Sequence, residues 1–111
     1  MSSLSTHVLD TTHGLPAAGL LLVLIGPEGE IARGRTNEDG RCPDLAQQDL
    51  APGRYAIDFG VADYFRAQGV DLPDPPFLDV VRVEFGIAAA GGHYHVPLLV
   101  SPYGYSTYRG S

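Results

Sequence analysis

The stretch His93–Ser111, HYHVPLLVSPYGYSTYRGS, constrains the fold of this chain more than any other. In its first half Tyr94, Val96, Leu98 and Val100 fall on one face of an extended strand and His93 and His95 on the other, because a β-strand alternates its side chains with a period of two. Ser101-Pro102-Tyr103-Gly104 then has turn chemistry, with Pro at the second position and Gly at the fourth. Tyr105–Arg109 returns as a strand rich in Tyr and Thr. A hairpin with one aliphatic face requires a core to receive it. Its opposite face carries imidazoles where solvating Lys, Glu or Thr would be usual, and that points to a reaction site.

The rest of the chain repeats the pattern in shorter pieces. Leu4–Asp10 sets Leu4, Thr6 and Val8 against Ser5, His7 and Leu9. Gly19–Gly26 is a continuous apolar run and reads as a central strand. Beyond the Pro27-Glu28-Gly29 turn, Glu30–Thr36 is more polar and nearer the surface. Thr36–Arg41 is turn-rich, and its Asp39-Gly40 pair is a hairpin signal. Thr11–Ala18 reads as a loop, and Pro43–Gly53 as irregular. Arg54–Phe59 places Tyr55, Ile57 and Phe59 opposite Ala56 and Asp58. Val61–Gln68 is the one helical segment, stopped by Gly69. Phe77–Gly86 sets Val81, Val83 and Phe85 against Arg82 and Glu84. Short strands at regular spacing with one short helix predict an all-β chain, an antiparallel β-sandwich. The pattern alone does not choose its topology over an immunoglobulin-like one.

A chain of 111 residues is expected to form a single domain, residues 1–111, around one core. Its 14 Gly and 9 Pro suit strands and turns rather than helices. A net charge of −6 argues against nucleic acid as a partner, which requires a clustered basic surface. Cys42 is the only cysteine, so neither an internal disulfide nor a cysteine zinc site can form. The start, MSSLSTHV, lacks the basic and apolar regions of a secretory signal. The longest apolar run, Leu20–Ile25, is far too short to span a membrane. A soluble cytoplasmic protein is expected.

His7, His93 and His95 each lie opposite the aliphatic residues of their strands, so all can decorate one outer sheet face if those strands are neighbours. His13 falls in a loop and reads as solvated. A three-histidine zinc site is the alternative use of such a face, although His-X-His is a weak motif by itself. Arg41 follows a turn and reads as a surface cation. The tyrosines of the tail, Tyr103, Tyr105 and Tyr108, argue against a frayed end, since so much aromatic surface is costly to leave in water. Gly110 allows the chain to bend and bring the Ser111 hydroxyl and carboxylate toward a site.

HYHVPLLVSPYGYSTYRGS, with LSTHVLDTTHGLPAAGL at Leu4–Leu20 and TNEDGR at Thr36–Arg41, resembles the 5-hydroxyisourate hydrolases, the transthyretin-related enzymes of purine breakdown. The terminal YRGS is the specific part, since the hormone carrier transthyretin lacks it. The resemblance implies a transthyretin-like sandwich of two four-stranded sheets with a helix after the fifth strand. It implies metal-free hydrolysis of 5-hydroxyisourate with no cofactor, with His7, Arg41 and His95 catalytic. His93, Tyr108 and Ser111 match residues of the substrate pocket. It also implies a homotetramer, a dimer of dimers with sites in a central channel. The rival reading is a transthyretin-like carrier holding a small ligand in that channel without catalysis.

Overall fold

The computed structural model describes every residue from Met1 to Ser111. Ten elements follow in order: β1 (Ser2–Asp10), β2 (Leu15–Pro16), β3 (Leu21–Gly26), β4 (Gly29–Arg35), α1 (Pro43–Ala46), β5 (Gly53–Gly60), α2 (Val61–Ala67), β6 (Val80–Ile87), β7 (Gly92–Ser101) and β8 (Gly104–Thr107). They form two four-stranded sheets, ordered β2-β1-β7-β8 and β4-β3-β5-β6. The expected sandwich is therefore present, with one pair the strand pattern did not foretell: β1 and β7 run parallel. No helix is long and apolar enough to cross a membrane.

The alternation read from the sequence holds the layers together. Leu4 and Val8 of β1 and Val96, Leu98 and Val100 of β7 face Leu22, Leu24, Ile57, Phe59, Val81 and Val83 of the other sheet, and all are buried. Burying one such side chain is worth about 1.5–3 kcal/mol. Thr6, also inward and buried, satisfies its hydroxyl on the Val96 carbonyl at 2.7 Å.

α2 is too short to persist by propensity alone. It is held by the burial of Val61, Ala62, Tyr64 and Phe65, and by the Asp79 carbonyl, which accepts the N–H groups of Val61 and Ala62 at 3.1 and 3.0 Å. Gly69, at φ +84°, turns the chain back at its end, as expected for a helix stop. The stretch after Arg41 is not irregular throughout. Pro43 opens the one-turn α1, whose Leu45 fills the core beside Cys42. So short a turn leaves no helical period to read.

The Asp39-Gly40 pair does turn the chain, but not as a hairpin between adjacent strands. β4 pairs only with β3. The turn instead carries the chain from one sheet to the other, where Arg41 forms an isolated antiparallel bridge with His7. In β8 the ladder closes at Thr107 rather than running on to Arg109. The register that pairs Leu98 with Thr107 also pairs His95 with Gly110, so Tyr108 stands opposite Pro97. Proline has no N–H to give. The ladder breaks there and resumes at Gly110, whose N–H donates to the His95 carbonyl at 2.8 Å.

Candidate active site

The parallel register of β1 and β7 places Ser3 beside His93, Ser5 beside His95 and His7 beside Pro97. Because both strands alternate in step, all the outward side chains share one face. That register joins His7 of β1 to His93 and His95 of β7, a link the sequence could not supply.

A line of hydrogen bonds runs along this face. Ser3 Oγ lies 2.6 Å from His93 Nδ1, Ser5 Oγ 2.9 Å from His93 Nε2, and Ser5 Oγ 2.7 Å from His95 Nδ1. His93 therefore has both ring nitrogens engaged by hydroxyls. Nε2 of His95 has no protein partner and is the nitrogen left for a bound molecule. Ser3 and Ser5 were overlooked in the sequence as site residues, although the same two-residue period that exposed His7 marks them.

Arg41 reaches this face through its turn. Asn37 Oδ1 accepts the N–H groups of Asp39 and Arg41 at 3.0 and 3.1 Å, and the Gly40 carbonyl accepts the Val8 N–H at 2.8 Å. Gly40 has φ +77°, and a Cβ there would meet the Val8 carbonyl oxygen and the His7 ring. Only glycine lets the turn lie so close to β1. On the other side, Gly110 lies against His95 so tightly that a Cβ would enter the imidazole. Arg109 secures the tail, its guanidinium 4.1 Å from the centre of the Tyr94 ring and one N–H 3.3 Å from the His93 carbonyl.

His95 is half-buried, and its pKa lies below the ordinary histidine value. Burial is the largest cause, followed by the positive field of Arg41 and by His7 and His93. Each disfavours the imidazolium. A ring kept neutral, beside an arginine fork and a second imidazole, can take or give a proton at neutral pH. No group of three or more His, Cys, Asp or Glu side chains is arranged to hold a metal ion.

The remaining tail residues flank Gly110 and its contact with His95. Tyr108 is exposed and lines a cleft of about 260 Å³ with Val83, Phe85, Tyr94, Val96 and Arg109, between the β6 edge and the tail. Ser111 is exposed beyond Gly110. His13 is exposed in its loop, as expected, and its ring also has neighbours: Nδ1 lies 2.5 Å from Asp10 Oδ2 and the ring packs against Phe65.

The sequence model of the HIUase/Transthyretin family matches residues 4–110. The chain belongs to that family. It is 55% identical over 117 aligned residues to the 5-hydroxyisourate hydrolase of Pseudomonas aeruginosa, covering 100% of this chain and 93% of that protein. The Klebsiella pneumoniae 5-hydroxyisourate hydrolase structure superposes with a TM-score of 0.87 at 34% identity, covering 100% of both chains. Sea bream transthyretin, solved in complex with thyroxine, gives a TM-score of 0.84 at 30% identity, over 97% of this chain and 94% of that one. The fold is thus shared between a 5-hydroxyisourate hydrolase and a transthyretin that holds thyroxine, and the side chains on the sheet face must decide between them.

Proposed function

We propose that the protein hydrolyses 5-hydroxyisourate, opening its cyclic amide with water to give 2-oxo-4-hydroxy-4-carboxy-5-ureidoimidazoline, without metal or organic cofactor. The observation that carries this reading is the meeting of His7, Arg41 and His95 on one sheet face, in a chain 55% identical to a protein of that name. One imidazole takes a proton from water as its oxygen bonds to the carbonyl carbon. The carbon–nitrogen bond then breaks, and the leaving nitrogen receives a proton from the other. A positioned acid or base contributes roughly 10²–10⁴-fold.

Arg41 stabilises the negative charge on the carbonyl oxygen as water adds. Its planar fork of donors suits an imide-rich ring. Tyr108 and Ser111 shape the pocket wall, with His93 at its edge. Each Arg41–His95 face is open to solvent, and a small substrate needs a concave site that buries most of it. A homotetramer, two dimers facing across a shared channel, supplies the missing wall.

The test is a UV time course with freshly generated 5-hydroxyisourate, read against a protein-free control because the compound decays unaided. The expected outcome is a protein-dependent rate that survives exhaustive chelation. His7→Asn and His95→Asn each lower it by roughly 10²-fold or more while the fold persists. No acceleration over the control, with a tight complex formed instead, would favour a carrier.

A further inference from the structure

The rings of His93 and His95 and the hydroxyls of Ser3 and Ser5 form an unbroken line, with contacts of 2.6, 2.9 and 2.7 Å. A neutral imidazole offers one N–H and one lone pair, and a hydroxyl carries a single proton. With both rings neutral, the line has two self-consistent arrangements. In the first, Ser3 donates to His93 Nδ1, His93 Nε2–H donates to Ser5, and Ser5 donates to His95 Nδ1. His95 then bears its proton on Nε2. In the second every donor reverses: His95 Nδ1–H donates to Ser5, Ser5 to His93 Nε2, and His93 Nδ1–H to Ser3. His95 Nε2 is left with a free lone pair.

We propose that Ser5 and His93 are positioning residues that set the tautomer of His95 and conduct a proton to it from solvent at Ser3. The proposal rests on reading His95 as an acid–base group of the hydrolysis. The transfer balances. His95 Nε2 gives its proton to the leaving nitrogen, and the Ser5 hydroxyl proton moves to His95 Nδ1. The His93 Nε2 proton moves to Ser5, and the Ser3 hydroxyl proton moves to His93 Nδ1. A buffer acid at Ser3, which is exposed, restores that hydroxyl. One proton enters from solvent and one leaves at Nε2, with no charge stranded on the line. This gives His93 a use that its engaged nitrogens otherwise deny it: neither is free for substrate without breaking a serine contact.

The experiment uses the whole protein labelled with ¹⁵N-histidine. At neutral pH the ring nitrogen shifts of His95 should report one tautomer in the unmodified protein and a mixture in Ser5→Ala. Ser5→Thr, which keeps the hydroxyl, should restore the single tautomer, and circular dichroism checks that each variant folds. In turnover, Ser5→Ala and His93→Phe should each lower kcat roughly ten-fold, part of what a positioned acid–base group supplies, with little change in KM. Added imidazole buffer should return part of the His93→Phe loss. A single unchanged His95 tautomer in Ser5→Ala overturns the positioning role. Unchanged kcat in both variants overturns conduction. If the unmodified protein does not hydrolyse 5-hydroxyisourate at all, the functional reading fails, while the tautomer measurement still decides what Ser5 does to His95.

Discussion

His95 shows how local surroundings turn an ordinary side chain into a usable one. Its pKa is depressed first by burial, then by the positive field of Arg41 and by His7 and His93, the charged or titratable groups facing it. The neutral ring therefore persists to lower pH than that of an ordinary histidine, whose pKa is about 6.5. Replacing Arg41 by Gln removes a positive neighbour without altering burial, so the pKa should rise toward the ordinary value but remain below it. An NMR titration of the His95 Cε1 proton measures this without needing turnover. A midpoint that falls or stays put in Arg41→Gln would show that Arg41 does not act on His95. The histidines themselves were legible, because a two-residue period separates outward from inward positions. Arg41 was not legible from its neighbours, since what brings it to His7 is a bridge between sheets, and only the family resemblance pointed to it. His13 is exposed, as read, but its contact with Asp10 was not legible, because Asp10 ends a strand whose burial no local pattern reveals.

Among the elements, the C-terminal end of β1 is tied to α2 through that aspartate. Asp10 is buried; it accepts the N–H groups of Thr12 and His13 at 2.9 and 3.0 Å, the Tyr64 hydroxyl at 2.8 Å and the His13 ring. Burial alone would raise its pKa, but the hydrogen bonds from His13 and Tyr64 outweigh it and the net direction is down. The same carboxylate, after burial, holds the Tyr64 phenol in its protonated form. A folded pKa below the unfolded one means that protons bind the unfolded chain more tightly. The stabilisation is therefore complete above the unfolded value of about 3.9 and disappears as pH falls through the lower folded value. Asp10→Asn should cost roughly 1–3 kcal/mol at neutral pH, the range for leaving buried donors unsatisfied, and flatten the acid side of a plot of unfolding free energy against pH. Equal acid sensitivity in the variant would place the titrating group elsewhere. Strand identity was largely readable at this scale from alternation. Partnership was not: the parallel β1–β7 pair joins opposite ends of the chain, and Pro97 stops β8 early by lacking a donor on a neighbouring strand.

For the whole molecule the decisive fact is which sheet edges remain open. At one side the edges are the two-residue β2 and β4, whose Glu30, Arg33 and Arg35 discourage strand addition. At the other side the outer edges of β6 and β8 are open, and Val80, Tyr103, Tyr105 and Tyr108 stand exposed beside them. A second chain adding its own β6 and β8 there would extend both sheets and cover the aromatics. Two such dimers meeting through the β1–β7 face would then close a channel over His7, Arg41 and His95. This arrangement predicts a light-scattering mass of four chains in dilute solution. It also predicts that Tyr105→Glu, which sets a charge on the β8 edge, lowers that mass. The same variant should lose hydrolysis at least roughly ten-fold, because orientation by a neighbouring wall is a large part of what a site contributes. Its circular dichroism should be unchanged, since Tyr105 lies outside the core. An unmodified chain that is monomeric and fully active would mean that one sheet face and its tail suffice, and the shared channel would have to be abandoned.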